Sequence, residues 1–211
     1  MAEWALETEI LLATWSEKAS CMRWLHTRSE KKYKKRYYCF SIPVIILSTL
    51  TGTANFALKE YVPEDRQKIA TAIIGGLNLF AGILGTLQTF LKVCETMESH
   101  RAQGVAWSKL GRNISIELAL DPMRRQPNHD FLKLCRAEYD RLIEQSPMID
   151  DDIIAQFKTK FKNYEVSKPS ITNGLDKCHI FKINPQLAPE PEILKGIQSE
   201  EEGEPEPEAE A

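Results

Sequence analysis

The chain has 211 residues, 43% hydrophobic and 27% charged, with a mean hydropathy of −0.34 and a net charge of −3. Those averages suit a soluble protein but hide opposite segments. Residues 37–58 and 69–91 carry no charge, whereas residues 190–211 hold nine Glu and one Lys, which leaves +5 on residues 1–189. A fully soluble single domain is thereby disfavoured. So is a secreted disulfide scaffold, because five Cys is odd and sparse and no pair is spaced CxxC. The opening MAEWALETEILLATW also lacks the basic-then-apolar order of a signal peptide.

Residues 1–36 read as an amino-terminal amphipathic helix with a basic end. Trp4, Leu11, Trp15, Met22 and Leu25 recur at three-to-four spacing, with Thr8 and Lys18 weakening the seam. The run Lys31, Lys32, Tyr33, Lys34, Lys35, Arg36 then abuts the first charge-free segment. Placed there, it suits a bilayer with anionic headgroups, at about 1 kcal/mol per basic residue near the surface. Nucleic acid is not an expected partner, because the run abuts a span and no nucleic-acid fold surrounds it.

The segment 37–91 reads as a transmembrane hairpin with spans at 37–58 and 69–91 and a linker at 59–68. Helices of 22 and 23 residues reach roughly 33–35 Å, enough to cross a hydrocarbon core. A ten-residue linker makes the two antiparallel, and Pro63, Glu64 and Asp65 suit the entry to the second. Basic residues crowd before Tyr37, and Lys92 and Arg101 follow the second span, so the positive-inside rule puts both termini in the cytoplasm. Pro43 is expected to kink the first span.

Both spans carry small and polar residues at helical spacing. Gly75, Asn78, Gly82 and Thr86 form the regular stripe of the second span, with Gly52 and Asn55 of the first expected to face it. Small residues let helices approach, and amide or hydroxyl groups bond across the contact. Three uses fit such a stripe: packing within the hairpin, a homo-oligomer interface, or a pore lining.

Residues 92–164 read as cytoplasmic helices. The second span is expected to continue as a helix with an apolar line at Ala102, Ala106, Leu110 and Ile114, ending at Asp121-Pro122. A further helix over 128–145 has Asn128 as its cap and Phe131, Leu134, Cys135, Leu142 and Ile143 as its apolar residues. Another opens at Asp150–Asp152 and carries Ile153, Ile154, Phe157 and Phe161. Their apolar faces need a partner, and the amino-terminal helix supplies it, giving an all-α bundle beneath the hairpin. His100 is expected to make a helix–helix hydrogen bond, with an acidic partner or as a pH sensor, and Trp107 to anchor the bundle core. Residues 165–211 read as a disordered acidic tail, with a cytoplasmic protein as its candidate partner.

No motif for catalysis, a metal or a cofactor is present. HExxH, GxSxG, GxxxxGK[ST] and zinc-spaced Cys and His are all missing from the sequence, so an enzyme is not expected.

The chain resembles the SLATT family (SMODS and SLOG-associating two-transmembrane effector domain) over roughly residues 1–162. The likeness rests on the long first helix, the YKKRYYCF entry and two spans with a short polar linker. It also rests on Glu98, His100, Trp107 and Leu110, which match an acidic-x-His segment followed by an aromatic-x-x-leucine step. Trp107 departs from the commoner tyrosine. The stretch Phe131 to Phe161 is similar to versions carried by large DNA viruses. The resemblance implies a membrane effector that oligomerises into a pore. The competing expectation is a structural or scaffold protein of a virion or organelle membrane, holding partners through residues 128–211.

Overall fold

The computed structural model describes residues 4–174, and every regular element among them is helical. Six helices follow in order: α1 (Leu6–Tyr61), α2 (Glu64–Phe90), α3 (Val93–Ala119), α4 (Asn128–Gln145), α5 (Asp151–Lys160) and α6 (Ser170–Asn173). A 3₁₀ turn, Pro122–Arg124, separates α3 from α4. Two helical stretches are long and apolar enough to cross a membrane, and only 6% of the apolar window in each is buried within the chain.

The amino-terminal helix and the first apolar span are one continuous helix, and Pro43 lies inside it without ending it. The expected linker is largely helical. α1 runs on to Tyr61, Val62 turns extended ahead of Pro63, and α2 begins at once with Glu64 and Asp65 in its first turn. Contacts fix an antiparallel register. Ser41 donates to Gln88 Oε1 at 3.2 Å, and Thr51 lies against Asn78 some ten residues further along. The second span does not continue straight into the next helix. Lys92 takes a left-handed conformation, φ 48°, and α3 restarts after it.

α3 descends antiparallel to the amino-terminal half of α1. Its buried face is His100, Gln103, Gly104, Trp107, Leu110, Gly111, Ile114 and Glu117. Of the expected line, Leu110 and Ile114 are buried and Ala106 packs against the core, but Ala102 is exposed and the line slips to Gln103 there. The same slip occurs on α1, where Leu12 is fully buried and Leu11 is exposed. The two helices approach closely at Gly111, where a Cβ would sit 3.3 Å from Ala19 Cβ and 3.4 Å from the Ser16 carbonyl. Ser16 Oγ uses this proximity to donate to the Gly111 carbonyl at 3.0 Å.

One core joins Leu12, Ala19, Trp107, Leu110, Ile114, Phe131, Cys135 and Leu142 of α1, α3 and α4. A second joins Cys21 and Leu25 to Ile149, Ile153 and Phe157 at α5. Burying each Leu or Ile contributes about 1.5–3 kcal/mol. On α4, Phe131, Cys135 and Leu142 turn inward, but Leu134 and Ile143 are exposed. Asn128 does not cap α4: Pro127 holds that position, and Asn128 Nδ2 lies 3.5 Å from Thr8 Oγ1.

The helical unit also extends past the expected boundary at 165. The Ser167 amide donates to Glu17 Oε2 at 2.7 Å, and Thr172 of α6 is buried. Of the expected disordered tail, residues 175–211, with the acidic run at 190–211, lie outside the described residues.

Candidate functional site: the outer face of α2 and a histidine pair below it

The α1 side facing α2 is Ser41, Val44, Leu47 and Thr51. Gly52 and Asn55 are exposed and do not face the α2 stripe. Thr51 takes the place assigned to Asn55. The error has a physical source, because in a charge-free segment every position is tolerable to an apolar neighbour and polarity no longer marks a face.

On α2, Gly75, Asn78, Gly82 and Thr86 are all exposed. A Cβ at Gly75, Gly82 or Gly52 would meet nothing within 4 Å. These glycines therefore do not serve packing inside the hairpin. Asn78, Gly82 and Thr86, one turn apart, instead floor an open groove of about 730 Å³ that Val44 and Ser48 of α1 border.

The polar groups on this face differ in what they need. Thr86 Oγ1 donates to the Gly82 carbonyl at 2.9 Å and Thr89 Oγ1 to the Gly85 carbonyl at 3.1 Å, so both hydroxyls are satisfied within their own helix. Asn78 is not. Thr51 Oγ1 lies 2.6 Å from Asn78 Oδ1 and 2.7 Å from the Leu47 carbonyl, and one hydroxyl proton cannot serve both. Turning the amide lets Nδ2 donate to Thr51, which then donates to Leu47. In either orientation the far end of the Asn78 amide has no partner among the described residues.

Below the apolar helices, α1 and α3 are joined by a histidine pair. His26 and His100 are both fully buried, with their Nδ1 atoms 3.0 Å apart. One ring must donate Nδ1–H and the other accept, so the two are opposite neutral tautomers. Each Nε2 is buried without a partner among the described residues. Burial and then the neighbouring His100 pull the His26 pKa down to about 4. Burial lowers His100 too, against the opposing charge of Asp150. The expected acidic partner of His100 is thus a second histidine, which sequence reading missed because the two lie 74 positions apart. Tyr33 stacks on His100 at 5.5 Å and donates to Asp150 Oδ1 at 3.3 Å.

The basic run divides. Lys32 is bound to Asp150 at 2.7 Å and to Asp152, and its hydrogen bond holds the Asp150 carboxyl below the usual range. Lys31, Lys34, Lys35 and Arg36 stay exposed. Glu98 pairs with Arg101 at 2.8 Å on the surface. Trp107 anchors the core as expected, donating Nε1–H to Ser146 Oγ at 3.1 Å. Among the described residues no three His, Cys, Asp or Glu side chains cluster to hold a metal. Compared with protein-family models, curated proteins and solved structures, the chain gives no match.

Proposed function

We propose that this is a two-span integral membrane protein, both termini cytoplasmic, that self-associates through the outer face of α2 and permeabilises the membrane as an assembly. Asn78 carries the reading. An amide with one unpaired end costs about 1–3 kcal/mol when buried away from water, and in hydrocarbon a neighbouring chain is what supplies the partner. The adjacent glycines leave room for that neighbour's backbone to come close. The apolar side chains of both long helices also point away from the chain's own core, which suits lipid. The likeness of residues 1–162 to SLATT effectors supports the same reading.

The test is Asn78→Leu combined with Gly82→Leu. The monomer fold should survive, because a Cβ at Gly82 meets nothing within 4 Å and the exposed Asn78 gives up one contact, with Thr51. Cross-linked oligomers and dye release from liposomes should both fall sharply. Release that persists in the double variant would end the proposal. Exposed Leu134 and Ile143 of α4 and Met148 just beyond it favour a second reading, a non-conducting scaffold that docks a partner there. That reading expects no release from the native chain once insertion has been verified by protease protection.

A further inference from the structure

A groove of about 710 Å³ lies between α1 and α5, walled by Trp24, Arg28 and Lys31 on one side and Asp152, Gln156 and Lys160 on the other. Its charge balance is one-sided. Asp152 is the only acidic wall residue among those six, and it shares Lys32, which lies outside the groove, with Asp150. Arg28 donates Nε–H to Gln156 Oε1 at 2.9 Å, which fixes the guanidinium while leaving its terminal nitrogens free of any acceptor among the described residues. Lys31 has no ion-pair partner among the described residues. Lys160 rests its ammonium 5.6 Å from the centroids of Trp24 and Phe161 and also lacks a carboxylate. Three cations, none of them ion-paired among the described residues, therefore share one cleft with an aromatic wall and a single carboxylate.

The groove has a direction. Trp24, Arg28, Lys31 and Lys35 are spaced four, three and four residues apart, so they form a single stripe on α1 that climbs toward Tyr37. Taking Tyr37 as the entry to the hydrocarbon, Lys31 lies about 9 Å and Arg28 about 14 Å outside it along the helix. The headgroup layer on one side of a bilayer is only about 5–8 Å deep. An ordinary phosphodiester therefore meets Lys35 and stops short of the groove. A headgroup that carries its own distal phosphate projects far enough to enter.

We propose that the α1–α5 groove binds a phosphomonoester group presented by the headgroup of an anionic lipid, with Lys31 and Arg28 as the nearer cationic contacts and Lys160, beside Trp24 about 20 Å out, adding charge at the far end. Arginine supplies paired donors to phosphate oxygens, and the lysines supply point charge. This goes beyond self-association and does not need it, but it rests on α1 crossing the bilayer at Tyr37.

The experiment uses the full chain in nanodiscs holding phosphatidylcholine with phosphatidylinositol bisphosphate and phosphatidylserine at matched total charge. Insertion is scored first by protease protection, so failure of the membrane reading is seen separately. Native mass spectrometry then reads the lipid retained by the chain. The phosphomonoester lipid should be enriched about tenfold over phosphatidylserine, equivalent to about 1.4 kcal/mol. Lys31→Gln with Lys160→Gln should abolish the enrichment. Arg23→Gln with Arg112→Gln removes the same charge on the α1–α3 side and should preserve it. Equal retention of the two lipids by the native chain overturns the proposal, as does equal loss in both variants. Displacement of the lipid by equimolar soluble inositol trisphosphate would overturn the lipid as the source. Displacement only at large excess supports it.

Discussion

The His26–His100 contact shows how two residues tie stability to acidity. Both pKa values lie below that of a free histidine, so the unfolded chain takes up protons first as the pH falls. Stability from the neutral pair is complete above about pH 6.5 and is lost as the pH drops toward 4. The unfolding temperature in detergent, followed by tryptophan fluorescence, should fall across that window. His26→Leu with His100→Leu should flatten the decline, and an unchanged slope would assign it to the carboxylates instead. The thiols give a second check at this scale. Burial and the nearby Glu17 push the Cys21 thiol up to about 11, and burial with Glu117 does the same for Cys135. Cys94 is exposed. A maleimide at neutral pH should label Cys94 within minutes in detergent, and Cys21 and Cys135 only after unfolding.

Between helices, two kinds of glycine are distinguished by what surrounds them. Gly111 faces backbone and the Ala19 methyl at contact distance, while Gly82 faces nothing. Gly111→Leu should wedge α1 from α3 and destabilise the chain by about 1–3 kcal/mol, or more where the helices cannot part. Gly82→Leu should leave the unfolding midpoint alone and change only the size of the particle. The sequence did not separate these cases, since both glycines stand in helical segments with apolar neighbours. It did mark both apolar helices, because a missing charge over 22 residues is a strong signal. It marked the starts of α4 and α5 to within a residue through Asn128 and the acidic run at 150, although Asn128 opens α4 rather than capping it. On α1 it placed Trp4, Trp15, Met22 and Leu25 at the core but took Leu11 for Leu12, because the two are chemically identical and only the docking of α3 chooses between them. It also gave no sign of the break at Lys92, where a left-handed residue is neither Gly nor Asn.

Across the whole molecule, the polar end is a compact set of helices closed by residues beyond position 165. Glu17 receives the Ser167 amide, Cys21 Sγ lies 3.9 Å from the Ser167 carbonyl, and Thr172 is buried. Ending the chain after Tyr164 should therefore lower its stability by about 1–3 kcal/mol, measured by urea titration in detergent. Ending it after Gly174 should leave the transition unchanged. The closing segment was illegible in the sequence because Ser, Pro and Asn dominate it, and its order comes from long-range contacts rather than local periodicity. The candidate site was legible in part. Gly75, Asn78, Gly82 and Thr86 do share an exposed face, but Gly52 and Asn55 do not join them, and only three-dimensional packing could have named Thr51.

α1 is 56 residues long without interruption, about 84 Å from end to end. The returning path is jointed at Lys92. The chain is thus a lever with one stiff arm and one articulated arm. A tilt of about 10° at the apolar end would sweep the far end of α1 through roughly 15 Å. The joint would absorb the mismatch on the other side. Anything that pulls on the helices packed against the lower half of α1 is geared directly to the angle at which the upper half stands.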